Sequence, residues 1–222
     1  MKTVTWMLIS AVAAFAGEAQ TDQVVTRMME RDQIRQATLG AYTWTSNYVL
    51  DNKSRHAEMR VRWTRNADGT KQFRIVSEKG DGGVRDHVFH KLLESEVEAS
   101  QIALQERNRL NLRNYSFELC GSEEINGRLA YILEITPKVE AKYLTKGRVW
   151  VDAEDYAVIQ VEGRPSKKPS FWTNSVAFVQ TYEKTGDFWM AASNRSITEA
   201  KIFGKADLLI QHSDYQFLST QE

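Results

Sequence analysis

The stretch Lys146–Pro165, KGRVWVDAEDYAVIQVEGRP, places three acids within four residues between two runs of branched and aromatic side chains. Asp152, Glu154 and Asp155 are either a carboxylate cluster that does chemistry or a turn between two strands. Aspartate favours turns because its side chain bonds its own backbone two residues on. A general acid–base pair also needs neighbours that hold and perturb it, and the local sequence offers none. The stretch therefore reads as a hairpin. With an even number of turn residues, Arg148, Trp150, Asp152, Ala157, Ile159 and Val161 share one face, and Val149, Val151, Tyr156 and Val158 the other. Both faces are apolar, so the pair is expected to be buried on both sides.

Period-two alternation extends in both directions from this hairpin. Upstream, Tyr42, Trp44, Tyr48 and Leu50 share one face, and in HAEMRVRWT the residues Ala57, Met59, Val61 and Trp63 oppose His56, Glu58, Arg60 and Arg62. The second pattern is that of an antiparallel strand with one wet side. NADGT supplies a turn into KQFRIVSE. Further strands are expected near 115–121, 128–136, 144–152, 156–163, 171–182, 188–192, 195–203 and 206–218. Their turn signals are Asn126-Gly127, Lys146-Gly147, Thr185-Gly186-Asp187 and Gly204-Lys205. Connections this short favour antiparallel neighbours.

Two segments carry the helical period instead. Val24, Val25, Met28 and Met29 form one stripe, with Thr21 or Asp22 placed to cap the helix. Val88, Phe89, Leu92 and Leu93 form another, within a helical region over about 85–107. The expected fold is mainly β (α+β): one strongly curved antiparallel sheet of about eleven strands, an unclosed half-barrel, with helices lidding its concave face.

The 222 residues carry 29 basic and 29 acidic side chains, so there is no basic footprint for nucleic acid. MKTVTWMLISAVAAFAGEAQ has a positive start, an apolar run too short to span a bilayer, and the small-x-small pattern Ala14-Phe15-Ala16. Residues 1–16 are thus expected to be a cleaved signal peptide and residues 17–222 a single exported domain, periplasmic and not an integral membrane protein. The single cysteine, Cys120, cannot form an internal bridge and is expected to be a buried thiol.

The remaining chemical patterns are weak. His87, His90 and Glu94 could share a helix face, but no further ligand motif follows and HExxH is absent, so solvent-facing histidines are the simpler reading. G-x-S-x-G, P-loop and G-x-G-x-x-G motifs are absent. Neither enzyme chemistry nor a cofactor or metal is expected.

The runs NYSFELCGSEEINGRLAYILEITPK, KYLTKGRVWVDAEDYAVIQVEGRP and KPSFWTNSVAFVQTYEKTGDFWMAASN resemble the periplasmic outer-membrane lipoprotein-sorting (LolA-like) proteins over roughly the last half of the chain. Trp150-x-Asp152 followed by Tyr156, with Pro137-Lys138 ahead, carries most of that resemblance. It implies a half-barrel whose hydrophobic cavity takes up acyl chains of lipoproteins or another lipid. It also implies an inner-membrane releasing protein and an outer-membrane acceptor as partners, and an arginine that holds the lid, for which Arg60 and Arg62 stand in a comparable early strand. The cavity walls are then expected at Trp44, Met59, Trp63, Phe73, Leu133, Trp150, Ile159 and Phe178, with Phe89, Leu92 and Leu93 on the lid helix. The alternative is an envelope protein-interaction or stress-sensing module on the same sheet; a hydrolase using His87, His90 or the Asp152/Asp155 pair ranks last.

Overall fold

The computed structural model describes residues 6–167, 173–200 and 204–218, with side chains over 18–167, 176–199 and 204–218. Helix α1 (Trp6–Thr38) leads into strands β1 (Tyr42–Asn52), β2 (Arg55–Arg65) and β3 (Lys71–Gly80). A helical segment follows: α2 (Gly82–Val84), a π-helical stretch (Arg85–Phe89), α3 (His90–Ala99) and α4 (Ile102–Asn108). Then come β4 (Tyr115–Ile125), β5 (Arg128–Pro137), β6 (Thr145–Asp152), β7 (Val158–Pro165), β8 (Thr173–Thr185), β9 (Phe188–Ala200) and β10 (Gly204–Phe217). Of the expected leader, residues 1–5 lie outside the described residues. The first residues of the strand expected at 171–182 and the last of that at 195–203 lie outside them as well.

All ten strands form one antiparallel sheet in the order β3-β2-β1-β10-β9-β8-β7-β6-β5-β4. The chain lays down a three-stranded edge meander, crosses by the helices to the opposite edge, and meanders back until β10 pairs with β1. This is the unclosed half-barrel with helices on its concave face. The turn chemistry is local. Asn126 and Gly127 both have positive φ (51° and 77°), as a tight hairpin demands. Gly69 (φ 87°) closes the Asp-Gly turn, where Asp68 accepts the Thr70 N–H at 2.9 Å.

A helix packs on the sheet near each free edge. Val24, Val25 and Met28 of α1 are buried with Tyr115, Leu133, Ile135, Leu144, Val149 and Val151, each such side chain stabilising by about 1.5–3 kcal/mol. At the other end Val84, Phe89 and Leu93 are buried against Tyr48, Leu50, Ala57, Met59, Val61 and Trp63. Each edge also hands a backbone N–H to a helix hydroxyl: Leu119 to Thr21 Oγ1 at 3.2 Å, and Lys71 to Ser100 Oγ at 2.9 Å. An exposed strand edge would otherwise invite pairing with another chain.

Five expectations are corrected. The strands expected at 188–192 and 195–203 form one strand, β9, giving ten rather than eleven among the described residues; a bulge opposite Thr181/Tyr182 disturbs the alternation without ending the strand. Lys146-Gly147 is not a turn. Gly147 lies opposite Gly163 within β6–β7, and a Cβ there would meet Glu162 O at 2.0 Å. The helical region breaks at Ser100–Gln101 into α3 and α4. Thr21 is no helix cap, because α1 begins at Trp6 and the hydroxyl serves β4 instead. Cys120 is exposed, because it sits on the edge strand at the bulge between Leu119 and Gly121.

Candidate functional site

The opening hairpin is structural. Arg128 grips Asp152 with two bonds, Nε to Oδ2 at 2.6 Å and Nη2 to Oδ1 at 2.8 Å. Asp152 also accepts the N–H groups of Asp155 (2.7 Å) and Glu154 (3.1 Å). Burial works to raise its pKa, but these bonds together hold the carboxyl below the usual carboxylate range. Asp155 accepts from Lys184 and from Trp189 Nε1 at 2.8 and 2.9 Å, and glutamate 154 is solvated. Bonded in this way, Asp152 and Asp155 lock the turn, and Arg128 also reaches the exposed Glu154 at 3.0 Å.

The turn itself is even, with six residues between Val151 and Val158, but the register shifts one step beyond it. Val151 pairs with Val158 and Trp150 with Gln160, leaving Ile159 in a bulge. Val161 therefore pairs with Val149 on the face beneath α1, not beside Trp150. Trp150 and Ile159 pack with Ala130 on the opposite face, where Trp150 Nε1 bonds Glu123.

The two helical covers touch where Arg109, at the end of α4, pairs with Asp32 of α1 at 3.0 Å. Between α1 and α3 the inner faces of β8, β9 and β10 floor a cavity of about 560 Å³, within the usual range of ligand pockets, roughly 300–1,000 Å³. Its apolar wall includes Trp44, Trp63, Leu92, Phe178, Leu208, Ile210 and Tyr215. Trp44 stacks on Trp63 (centroids 5.6 Å apart) and on Tyr215 (6.2 Å). A lobe of about 400 Å³ beneath α1 shares Leu39, Phe178, Gln180, Tyr182 and Trp189 with it. A third, of about 560 Å³, opens past Gln36 towards Ser100 and Asn108.

The polar groups around the main lobe are held by packing and by one another. Lys71 on β3 and Glu96 on α3 form an ion pair. Their side chains keep 27% and 48% of their surface, but it faces the cavity, where protein surrounds both. Burial alone would lower the lysine, yet Glu96 raises it, and Lys71 in turn holds the Glu96 carboxyl low. His212 meets Ser46 Oγ at 2.8 Å through Nδ1, and burial lowers its pKa to about 4, so it is neutral at pH 7. Burial pushes the Tyr182 hydroxyl up to about 12 and raises Tyr48 and Tyr215 further. Ser46 is completely buried, so it orients His212 and offers no surface nucleophile.

Of the expected wall residues, Trp44, Trp63, Leu92 and Phe178 come together around the main lobe. Met59, Phe89, Leu93 and Leu133 are buried in the packed clusters beneath the helices. Phe73 packs on Trp63 at the sheet edge and is 37% exposed. Arg60 and Arg62 face away from the helices, Arg62 bonding Thr43, Thr45 and Gln216. Arg65 donates to Leu39 O and Gly40 O, just beyond α1, at 3.2 and 3.1 Å, and Arg35 of α1 itself donates to Asp155 O and Tyr156 O. His90 is turned onto Glu78 of β3 at 2.7 Å, and among the described residues no three acidic, histidine or cysteine groups converge on a metal position. Sequence reasoning missed the polar floor, Gln180, Tyr182, Asn194, Ser196 and His212. The signal was present, since Gln180 and Tyr182 alternate in phase with Phe178.

The chain is similar in fold to several solved structures. One is a LolA superfamily protein from Nitrosomonas europaea, with 10% identity, 89% of this chain and 94% of that one covered, and a TM-score of 0.49. A putative outer membrane lipoprotein-sorting protein domain from Vibrio parahaemolyticus gives 16%, 89%, 93% and 0.45. A DUF1329 family protein from Desulfovibrio piger gives 16%, 89%, 92% and 0.45. No family model matches the chain, and no curated protein matches it. Similarity at this level assigns no residue here a role. Among the described residues no helix is long and apolar enough to cross a membrane.

Proposed function

We propose that the protein is a non-catalytic binder or carrier that houses the apolar part of a lipid, or the acyl chains of a lipoprotein, in the cavity between α1 and α3. The observation that supports this is the uncovered floor: an inner face sealed by helices at both ends is left open over β8–β10, with aromatic and aliphatic walls. Each buried methylene is worth about 0.8 kcal/mol, so a chain can be held without a covalent bond. Residues 1–16 act as the export signal, the mature domain works in the periplasm, and membrane proteins load and unload it. Native mass spectrometry of protein purified from cells, together with titration by the uncharged fluorophore N-phenyl-1-naphthylamine, tests the reading. A lipid-sized adduct and saturable enhancement, lost when Leu208→Gln and Phe178→Gln are combined, are expected; a protein with neither adduct nor enhancement would overturn it.

A further inference from the structure

The charges facing the cavity are all committed. Among the described residues four cations line the three lobes. Lys71 is paired with Glu96, and Arg109 with Asp32 (3.0 Å) and Glu106 (2.8 Å). Arg35 donates to Asp155 O and Tyr156 O, both at 3.1 Å, and Arg65 to the carbonyls of Leu39, Gly40 and Asn66. The four acids of the same walls are Asp32, Asp68, Glu96 and Glu106, and Asp68 is bonded by Thr70. In the main lobe the lining cation among the described residues is Lys71, already paired with Glu96, so an anionic head seated there would meet that carboxylate. Seating it on Lys71 would strand that carboxylate, and an unpaired charge in such a place is costly. A cationic head would strand Lys71 in the same way.

The floor offers something else. One row of paired residues runs across nine strands: Leu119, Leu133, Val149, Val161, Gln180, Asn194, Ile210, Tyr48 and Met59. Over these nine strands it is apolar or aromatic except at Gln180 and Asn194, which line the cavity between the helices beside Ile210; on β3 the row ends at Glu78, which bonds His90. Asn194 Nδ2 lies 3.4 Å from Gln180 Oε1, so the two carboxamides keep most of their donors and acceptors for the cavity. Ser196 lies beside them on the same strand face, and the protonated hydroxyl of Tyr182 faces the same lobe. Polar groups placed in an otherwise apolar row cost stability unless something satisfies them.

We propose that the cavity selects amphiphiles whose head is uncharged and rich in hydroxyl or amide groups, of the glycoside or glycerol type, over those with a charged head. Gln180 and Asn194 contact the head, and the Lys71–Glu96 pair rejects charge. This rests on the cavity-binding reading above, and the test separates the two. Decyl maltoside, decanoate and decyltrimethylammonium share one tail; each is titrated into the full protein below its critical micelle concentration and followed by tryptophan fluorescence and calorimetry. The maltoside is expected to bind at least ten-fold tighter than either ion. Asn194→Leu should weaken the maltoside several-fold while sparing decanoate, and Glu96→Gln, which frees Lys71, should tighten decanoate several-fold. Circular dichroism confirms that each variant is folded. Binding of either ion as tightly as the maltoside overturns the selectivity and leaves the cavity reading standing. Failure of all three to bind the folded protein overturns both.

Discussion

Ser100, at the end of α3, accepts the backbone N–H of Lys71 on the free edge of β3 at 2.9 Å while donating to Val97 O at 2.7 Å. With Glu96 holding the Lys71 ammonium one turn earlier, and His90 bonding Glu78 at the helix start, the lid helix is fixed to β3 at both of its ends. Ser100 is 6% exposed. Ser100→Ala should therefore leave a shielded donor without its partner and cost about 1–3 kcal/mol. Urea denaturation checks this, and Thr21→Val should do the same at the β4 edge with a smaller loss.

His212 gives the protein an acid-sensitive core. Its pKa is lowered by burial, to about 4 in the folded protein, against about 6.5 in the unfolded chain. The unfolded chain takes up the proton first as pH falls. Stability is then fully present above about pH 6.5 and is lost progressively towards pH 4. Between pH 7 and 5 the loss from this residue should be about 2 kcal/mol. Comparing urea midpoints at those two pH values, His212→Gln should show a distinctly flatter dependence than the wild type.

The Arg128–Asp152 grip predicts a contrast between neighbours. Asp152 is 1% exposed on its side chain, whereas glutamate 154 is 80% exposed. Arg128→Met leaves a buried carboxylate with only backbone donors; because Arg128 itself is about one-third exposed, the cost should lie at or below the lower end of the roughly 3–5 kcal/mol seen for broken buried pairs. Glu154→Gln should stay within about 0.5 kcal/mol. Thermal unfolding of the two variants measures the difference.

Gly147 and Gly163 face one another across β6 and β7, where no Cβ fits. Gly147→Ala must push the strands apart and should cost at least the upper end of the roughly 1–3 kcal/mol of an overpacked site. Gly40→Ala, with nothing within 4 Å of its added carbon, should be neutral within about 0.5 kcal/mol. Soluble yield and melting temperature of the two variants report the contrast.

Cys120 is exposed on β4. Its thiol should react with Ellman's reagent in native buffer, at a rate little changed by denaturant.

The alternation of Ala57, Met59, Val61 and Trp63 and the turn residues Asp68-Gly69 and Asn126-Gly127 are local, and they suffice to define antiparallel strands and hairpins. The stripe of Val24, Val25 and Met28 likewise marks a covering helix in the sequence itself. The resulting mainly β fold with two helical covers is therefore legible without coordinates.

Which face looks inward is not local. A bulge at Ile159 moves Val161 to the inner face and leaves Trp150 outside, because one extra residue inverts the phase of everything beyond it. The pairing of β10 with β1 brings Trp44 and Tyr215 together although the sequence separates them by most of the chain. The gap between α1 and α3 then turns Gln180 and Asn194 from unremarkable strand polars into the floor of a cavity. Periodicity fixes how a strand alternates; only the closing of the sheet and the reach of its helices decide what that alternation faces.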